Sequence, residues 1–458
     1  MRTTDNNCGK PLNELGECNN IDDLYFISNK SLHELQENNP NLLIFPKTFG
    51  KYHDDVEKSI IFSLSDHGKA DKNNIKLITY NLMGFIGRND TQLTISSRFA
   101  TNDEHDYFLH YMLQKVFSIN ILNFDQTKNK DSIWDFLLYL FPYYLNNAYS
   151  KGLYKEYKRE EYNDVNIKGT IDVKRHIKMN IPFNGKIAYT TRQYSYDNAV
   201  TQLIRHTIEH IKTHPWGNKI LSNNDKIREA VNEFTYATQN SYNKNARQKI
   251  INANLKPVTH PYFTEYKILQ KICKLILQRG KISFGQEKDK IYGLLFDGAW
   301  LWEEYLNTIL KDIFMHPENK TGENGFYLFN KDNKNFQSIY PDFISQKEPQ
   351  KGDDEKPKKV ADAKYMPLDK QKESEENSEK AISIYYKTIT YMYRFSSNEG
   401  YLFFPYSGAD TYCETYKIID TDGTLKKIGL KIPQSAENFN KFIEVMQKNE
   451  QEFIDLII

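Results

Sequence analysis

Two short strand-like runs built around aspartates constrain this chain more than any other feature. Ser338-Ile339-Tyr340-Pro341-Asp342-Phe343 is followed, after a charged insertion, by Val360-Ala361-Asp362-Ala363-Lys364-Tyr365. Side chains alternate between faces along a strand, so Asp362 and Lys364 are expected on one face of theirs. Two carboxylates about 4 Å apart repel by roughly 4 kcal/mol at a surface-like dielectric, so such a pair calls for a divalent cation. Mg²⁺ suits it, preferring a few hard oxygens together with phosphate, and Mn²⁺ can substitute. Removing either carboxylate is then expected to relieve repulsion and leave stability unchanged or slightly raised.

Asp-x-Lys alone is weak. Asp172-Val173-Lys174 has the same spacing, and Glu156-Tyr157-Lys158 and Glu265-Tyr266-Lys267 are Glu-x-Lys equivalents. What sets the 342/362 pair apart is the order of elements around it. Upstream, Trp302, Tyr305, Leu306, Ile309, Leu310 and Ile313 follow helical apolar spacing, which puts Glu303 at the border of the buried stripe and Glu304 outward. Downstream, Ala381, Ile384, Tyr385, Thr388, Met392 and Phe395 make a second amphipathic helix, and Tyr401-Leu402-Phe403-Phe404 reads as a buried strand ended by Pro405.

Acidic helix, Pro-Asp strand, Asp-x-Lys strand, helix and strand, in that order, resemble the PD-(D/E)xK nuclease fold. More narrowly they resemble the McrC subunit of McrBC-type, 5-methylcytosine-dependent restriction systems. Gly152-Leu153 through Lys168-Gly169-Thr170-Ile171-Asp172, Leu93 to Phe99 followed by Tyr111-Met112-Leu113, and Leu301 to Leu306 are similar to that family's segments, so that roughly residues 75 to 410 take part. The resemblance implies a type IV-like restriction endonuclease subunit. Asp342 and Asp362 would ligate Mg²⁺ with the Ala363 carbonyl, Glu303 would bind it directly or through water, and Lys364 would activate the attacking water. It further implies double-stranded DNA with modified cytosine as substrate, and docking on a McrB-like AAA+ ring that hydrolyses GTP. No G-x-x-x-x-G-K-[ST] run occurs, so the nucleotide belongs to that partner and not to this chain. Where such nucleases often carry a glutamine on the post-catalytic helix with a tyrosine four residues on, this chain has Lys387 and Tyr391; a lysine there would meet backbone phosphate as a point charge.

The expected architecture is α+β and multidomain. A mixed β/α partner-docking domain spans residues 1–104, a helical connector 105–285, and a C-terminal PD-(D/E)xK α/β domain 286–458. Ile75 to Tyr80 and Gln92 to Ile95 flank Gly87-Arg88-Asn89-Asp90 as a β-hairpin, and the first 35 or so residues, rich in Asn, Asp and Glu, are expected to be partly mobile. Helical spacing marks Tyr107 to Ile119, Trp134 to Ala148, Val200 to Ile211 and Tyr266 to Leu277, and the insertion Gln346 to Lys359 reads as a mobile loop. A formal net charge of only +1 supplies no global field for DNA, which points to local patches or a partner. Cys8, Cys18, Cys273 and Cys413 form no C-x-x-C pair, and no apolar run reaches the roughly 20 residues a membrane span needs; a reducing cytoplasm is expected.

Three weaker signals stand beside these. His206-Thr207-Ile208-Glu209-His210 has the H-x-x-E-H spacing of some zinc hydrolases, yet both histidines fall at the border of a buried stripe, where surface histidines are common. Arg88 at the hairpin tip could act as an arginine finger in a partner's site, against the commoner fate of a solvated turn residue. Lys168, Lys174, Arg175 and Arg192 could line a phosphate-binding surface, with Tyr194 and Tyr196 stacking on bases, or could equally be ordinary solvated faces. A non-catalytic scaffold is the rival to the nuclease reading, although a scaffold has no physical need for a repelling acidic pair.

Overall fold

A computed structural model describes residues 1–39, 42–46, 60–65, 75–100, 106–117, 132–214, 217–222, 224–278, 290–317, 326–345, 358–369 and 379–458. The chain is mixed α/β and forms two compact units, Met1–Ile133 with Phe284–Ile458, and Trp134–Ser283. These differ from the three domains expected, because Ile291–Asp297 does not belong to the C-terminal sheet. It lies inside an N-terminal sheet ordered Arg2–Thr4, Thr91–Ser96, Leu82–Arg88, Ile291–Asp297, Leu42–Phe45, pairing antiparallel with Leu82–Arg88 and parallel with Leu42–Phe45. Gly84 permits that pairing: its φ is +127°, and a Cβ there would lie 2.1 Å from the Leu294 carbonyl oxygen.

The first residues are ordered, contrary to expectation. Arg2–Thr4 runs parallel to Thr91–Ser96, and helices Ile21–Ile27 and Leu32–Asn38, capped by the Asn20 and Ser31 side chains, bury Leu24, Ile27, Leu32 and Leu35 in the N-terminal core. The hairpin tip is a two-residue turn at Asn89-Asp90, with Asn89 at φ 50°, but its first strand is Leu82–Arg88. Lys76–Thr79 belongs instead to a separate sheet with Lys10–Pro11 and Phe62–Ser65.

The C-terminal sheet is ordered Phe314–Met315, Phe343–Ser345, Lys358–Ala363, Ser397–Tyr406, Thr424–Lys431, Tyr412–Lys417. Alternation along Ser397–Tyr406 sorts the helices onto its two faces. Phe403 meets Phe453 of helix Phe439–Asp455, and its carbonyl accepts from Trp302 Nε1 of helix Gly298–Leu310 at 3.4 Å; Leu402 and Phe404 cluster with Ile384 of helix Glu379–Arg394 on the other side. Pro405 sits inside this strand and does not end it. The buried Glu450 fastens three helices by accepting from Tyr111 Oη at 2.8 Å, Tyr305 Oη at 2.6 Å and Lys115 Nζ at 3.0 Å. A two-stranded hairpin, Phe326–Lys331 with Lys334–Ile339, precedes Asp342. The charged insertion lies outside the described residues apart from Lys358 and Lys359, which open the strand Lys358–Ala363.

The other unit carries helices Ser132–Tyr149, Ala199–Lys212 and Thr264–Gln278 where the spacing predicts them. It is not wholly helical. Glu156–Asp164, Ile187–Ser195 and Thr170–Ile171 form an antiparallel sheet that the sequence hides, since the first of these strands is charged along its length and mostly solvated. No described helix is long and apolar enough to cross a membrane.

Candidate active site

Strand-to-helix connection fixes the first acidic group. Asp297 ends its strand and caps the next helix, accepting from the Ala299 and Trp300 amides at 2.9 and 3.1 Å. Trp302 and Tyr305, both fully buried, then anchor that helix and leave Glu303 at its buried border, 9% exposed. Phe343–Ser345 pairs antiparallel with Lys358–Ala363, bringing Asp342 beside the second strand: Asp342 Oδ2 accepts from the Ala363 amide at 2.8 Å. Lys364 continues the line of the second strand by donating its amide to the Phe403 carbonyl.

Asp362 is the centre of the site and has no solvent exposure. Its Oδ2 forms an ion pair with Lys364 Nζ, and its Oδ1 accepts from Lys387 Nζ at 3.3 Å. Burial by itself would raise the Asp362 carboxyl, but Lys364 and Lys387 outweigh it and hold the group below the usual aspartate range. The reciprocal effect appears at Lys387. Burial opposes its charge, yet Asp362 and then Asp342 raise its ammonium above the ordinary lysine value. Its Nζ also lies 5.5 Å from the Tyr391 ring centroid. In this structure the lysine therefore faces the carboxylate, and two lysines supply the positive charge that the sequence argument assigned to a cation.

His316 is the residue that sequence reasoning missed. Its Nδ1 is 2.7 Å from the Asp342 carbonyl oxygen and so donates to it, while its Nε2 lies 3.7 Å from Glu303 Oε1. It thus links the acidic helix to the Asp342 strand. A lone histidine between an edge strand and a proline carries no periodic signal, and only the closing of the sheet brings it to the site.

The family model for the McrBC 5-methylcytosine restriction system component matches residues 77–405. The chain belongs to the McrBC family. Among solved structures, the refined half-complex from a tetradecameric assembly of Thermococcus gammatolerans McrB AAA+ hexamers with bound McrC aligns at 15% identity and TM-score 0.49, over 100% of both chains. The cryo-EM structure of the Thermococcus gammatolerans McrBC complex aligns at 14% identity and TM-score 0.31, over 68% of this chain and 87% of that one. No curated protein matches the chain.

The remaining candidates of this McrBC-family chain are placed elsewhere. Arg88 does not reach out from its turn: Nη1 is 2.6 Å from Asp23 Oδ1 and the guanidinium lies over the Phe26 ring at 4.1 Å. Arg88 is therefore held against its own domain by a buried carboxylate and an aromatic ring. Asp172 caps helix Val173–Asn180 through the Arg175 amide, and Arg175 pairs with Glu161 at 2.8 Å, so that Asp-x-Lys match is a helix start. Lys168, Lys174 and Arg192 are exposed. His206 is buried against the Tyr242 ring at 4.9 Å, with its pKa lowered by burial and then by Arg247 and Arg205, and His210 lies against His214. Among the described residues no group of three or more His, Cys, Asp or Glu is placed to hold a metal ion.

Proposed function

We propose that this McrBC component is the Mg²⁺-dependent endonuclease subunit of a restriction complex, with a PD-(D/E)xK site at Asp342, Asp362 and Lys364. One observation carries the reading: a fully buried aspartate, Asp362, held ionised by two lysines beside a second buried carboxylate. A structural role is a poor account of that cluster, since burying a charge set of this kind is weak support for stability. Two buried carboxylates, Asp342 and Asp362, are too few donors for an all-protein cage and suit a hard cation that keeps waters and phosphate oxygens, as Mg²⁺ does. Asp342, Asp362 and the Ala363 carbonyl would hold the ion, with Glu303 binding it directly or through water; Mn²⁺ has the same ligand preferences. When bound, the ion neutralises phosphodiester charge and acidifies a water.

The chain's own residues do the rest. Lys364 orients the attacking water from the flank of Asp362. Lys387, whose Nζ lies 3.3 Å from Asp362 Oδ1, keeps Asp362 ionised and would meet a substrate phosphate as a point charge once a cation neutralised that carboxylate. His316 fixes the Asp342 main chain and the Glu303 side chain relative to each other. Family membership supports double-stranded DNA with modified cytosine as substrate and a McrB-like, GTP-hydrolysing AAA+ ring as partner. The test is cleavage of methylated DNA by the assembled complex with Mg²⁺. Asp342→Ala, Asp362→Ala and Lys364→Ala should each abolish cutting, whereas Asp172→Ala should not; cutting at the wild-type rate by any of the first three overturns the assignment and favours a scaffold.

A further inference from the structure

The hairpin Phe326–Ile339 has two unlike faces. Phe326, Leu328 and Ile339 pack into the cluster formed with Val360, Tyr391 and Met392, so one face is tied to the catalytic strand and to the helix bearing Lys387. Arg394 of that helix adds a bond from Nε to the Tyr327 carbonyl at 2.8 Å. On the opposite face Phe329 and Phe336 sit directly across from each other with ring centroids 5.3 Å apart and interplanar angle 28°, yet are 52% and 48% exposed. Lys331 and Lys334, paired across the strands next to the turn, fall on the same face by strand alternation. The turn, Asp332-Asn333, has positive φ at both positions, 51° and 62°, the type I′ geometry that stiffens a two-residue hairpin.

We infer that this hairpin is a DNA-contacting arm, entering a groove of the duplex as a two-stranded ribbon, with Lys331 and Lys334 on backbone phosphates and the Phe329–Phe336 pair against the groove wall. A β-ribbon is the right width for the major groove of B-DNA. Charge and chain continuity both favour nucleic acid over protein as the occupant. The tip carries two lysines against one aspartate, and the second strand runs through Tyr340-Pro341 directly into Asp342. Lys334 can be no farther than about 27 Å from Asp342 along extended chain, within a turn of helix of a phosphodiester at the site. The inference takes its ligand from the nuclease reading.

The test is binding of a labelled duplex to the full-length chain, alone and assembled with its ring partner, without divalent cation so that no cutting intervenes. Lys331→Gln/Lys334→Gln should weaken binding roughly tenfold and lower the slope of log affinity against log salt by about 1.8, at 0.9 per phosphate contact. Phe329→Ala/Phe336→Ala should weaken binding with the slope unchanged. All four positions are exposed, and unaltered thermal melts check folding. Wild-type affinity and slope in both double variants overturn the arm, as does an effect confined to the partner's NTPase rate, which would assign the face to protein. The two readings fail separately. Metal-dependent cutting that survives removal of the arm spares the nuclease, and arm-dependent binding by a wild-type chain that never cuts spares the arm.

Discussion

Replacing Asp362 with alanine should lower the melting temperature of the metal-free protein, the reverse of what repulsion between paired carboxylates suggests. In the folded chain Asp362 has no solvent exposure and faces the ammonium groups of both Lys364 and Lys387. Alanine at this position removes their shared counter-charge and leaves two cations together. Removing one partner of a buried pair costs 3–5 kcal/mol where the remaining charge cannot reach water. Here the side chain of Lys387 is 44% exposed and that of Lys364 19% exposed, so both can partly rehydrate and the loss falls to about 1–3 kcal/mol. That is a decrease of several degrees at roughly 2–4 °C per kcal/mol. The assay is thermal unfolding in chelator, followed by titration with Mg²⁺. At about ten times its dissociation constant the ion should add about 1.4 kcal/mol to the wild type and nothing to the variant. An unchanged or raised melting temperature in Asp362→Ala, or a Mg²⁺ response that survives it, would refute the lysine-for-cation account.

Glu450→Ala should cost on the order of 3 kcal/mol in urea unfolding, because it strands two buried tyrosine hydroxyls, those of Tyr111 and Tyr305. Burial pushes the Asp106 carboxyl up to about 6, partly offset by the Ser97 and Leu109 amides. A folded-state value above the unfolded one gives stability that is complete below about pH 4 and lost as pH rises through 6, so Asp106→Asn should flatten the pH dependence of unfolding across that window. His316→Ala should lower cleavage by about 10–100-fold and raise the Mg²⁺ concentration needed for half-maximal cutting while the fold persists, with His316→Asn recovering part of the loss through its amide donor to Asp342; equal rates in the alanine variant would remove His316 from the site.

What the sequence determined by itself was local. Period-2 alternation put Asp362 and Lys364 side by side, three-and-four spacing marked the helices Gly298–Leu310 and Glu379–Arg394, and Gly87-Arg88-Asn89-Asp90 marked a hairpin tip whose turn the structure narrows to Asn89-Asp90. Each is a pattern that a short stretch of backbone geometry imposes on its own residues. Tertiary structure decided everything that joins distant stretches. It placed Ile291–Asp297 among strands that precede it by some two hundred residues, swung Lys387 onto Asp362, set His316 between Glu303 and Asp342, drew Arg88 onto Asp23, and gathered three helices on Glu450. Those contacts follow from which buried faces pack together, and a hydrophobic stripe tells a helix which side to bury without naming its partner. The charged strand Glu156–Asp164 was hidden for the complementary reason: it is an edge strand, paired only with Ile187–Ser195 and mostly solvated, so no buried face imposes an apolar alternation on its residues.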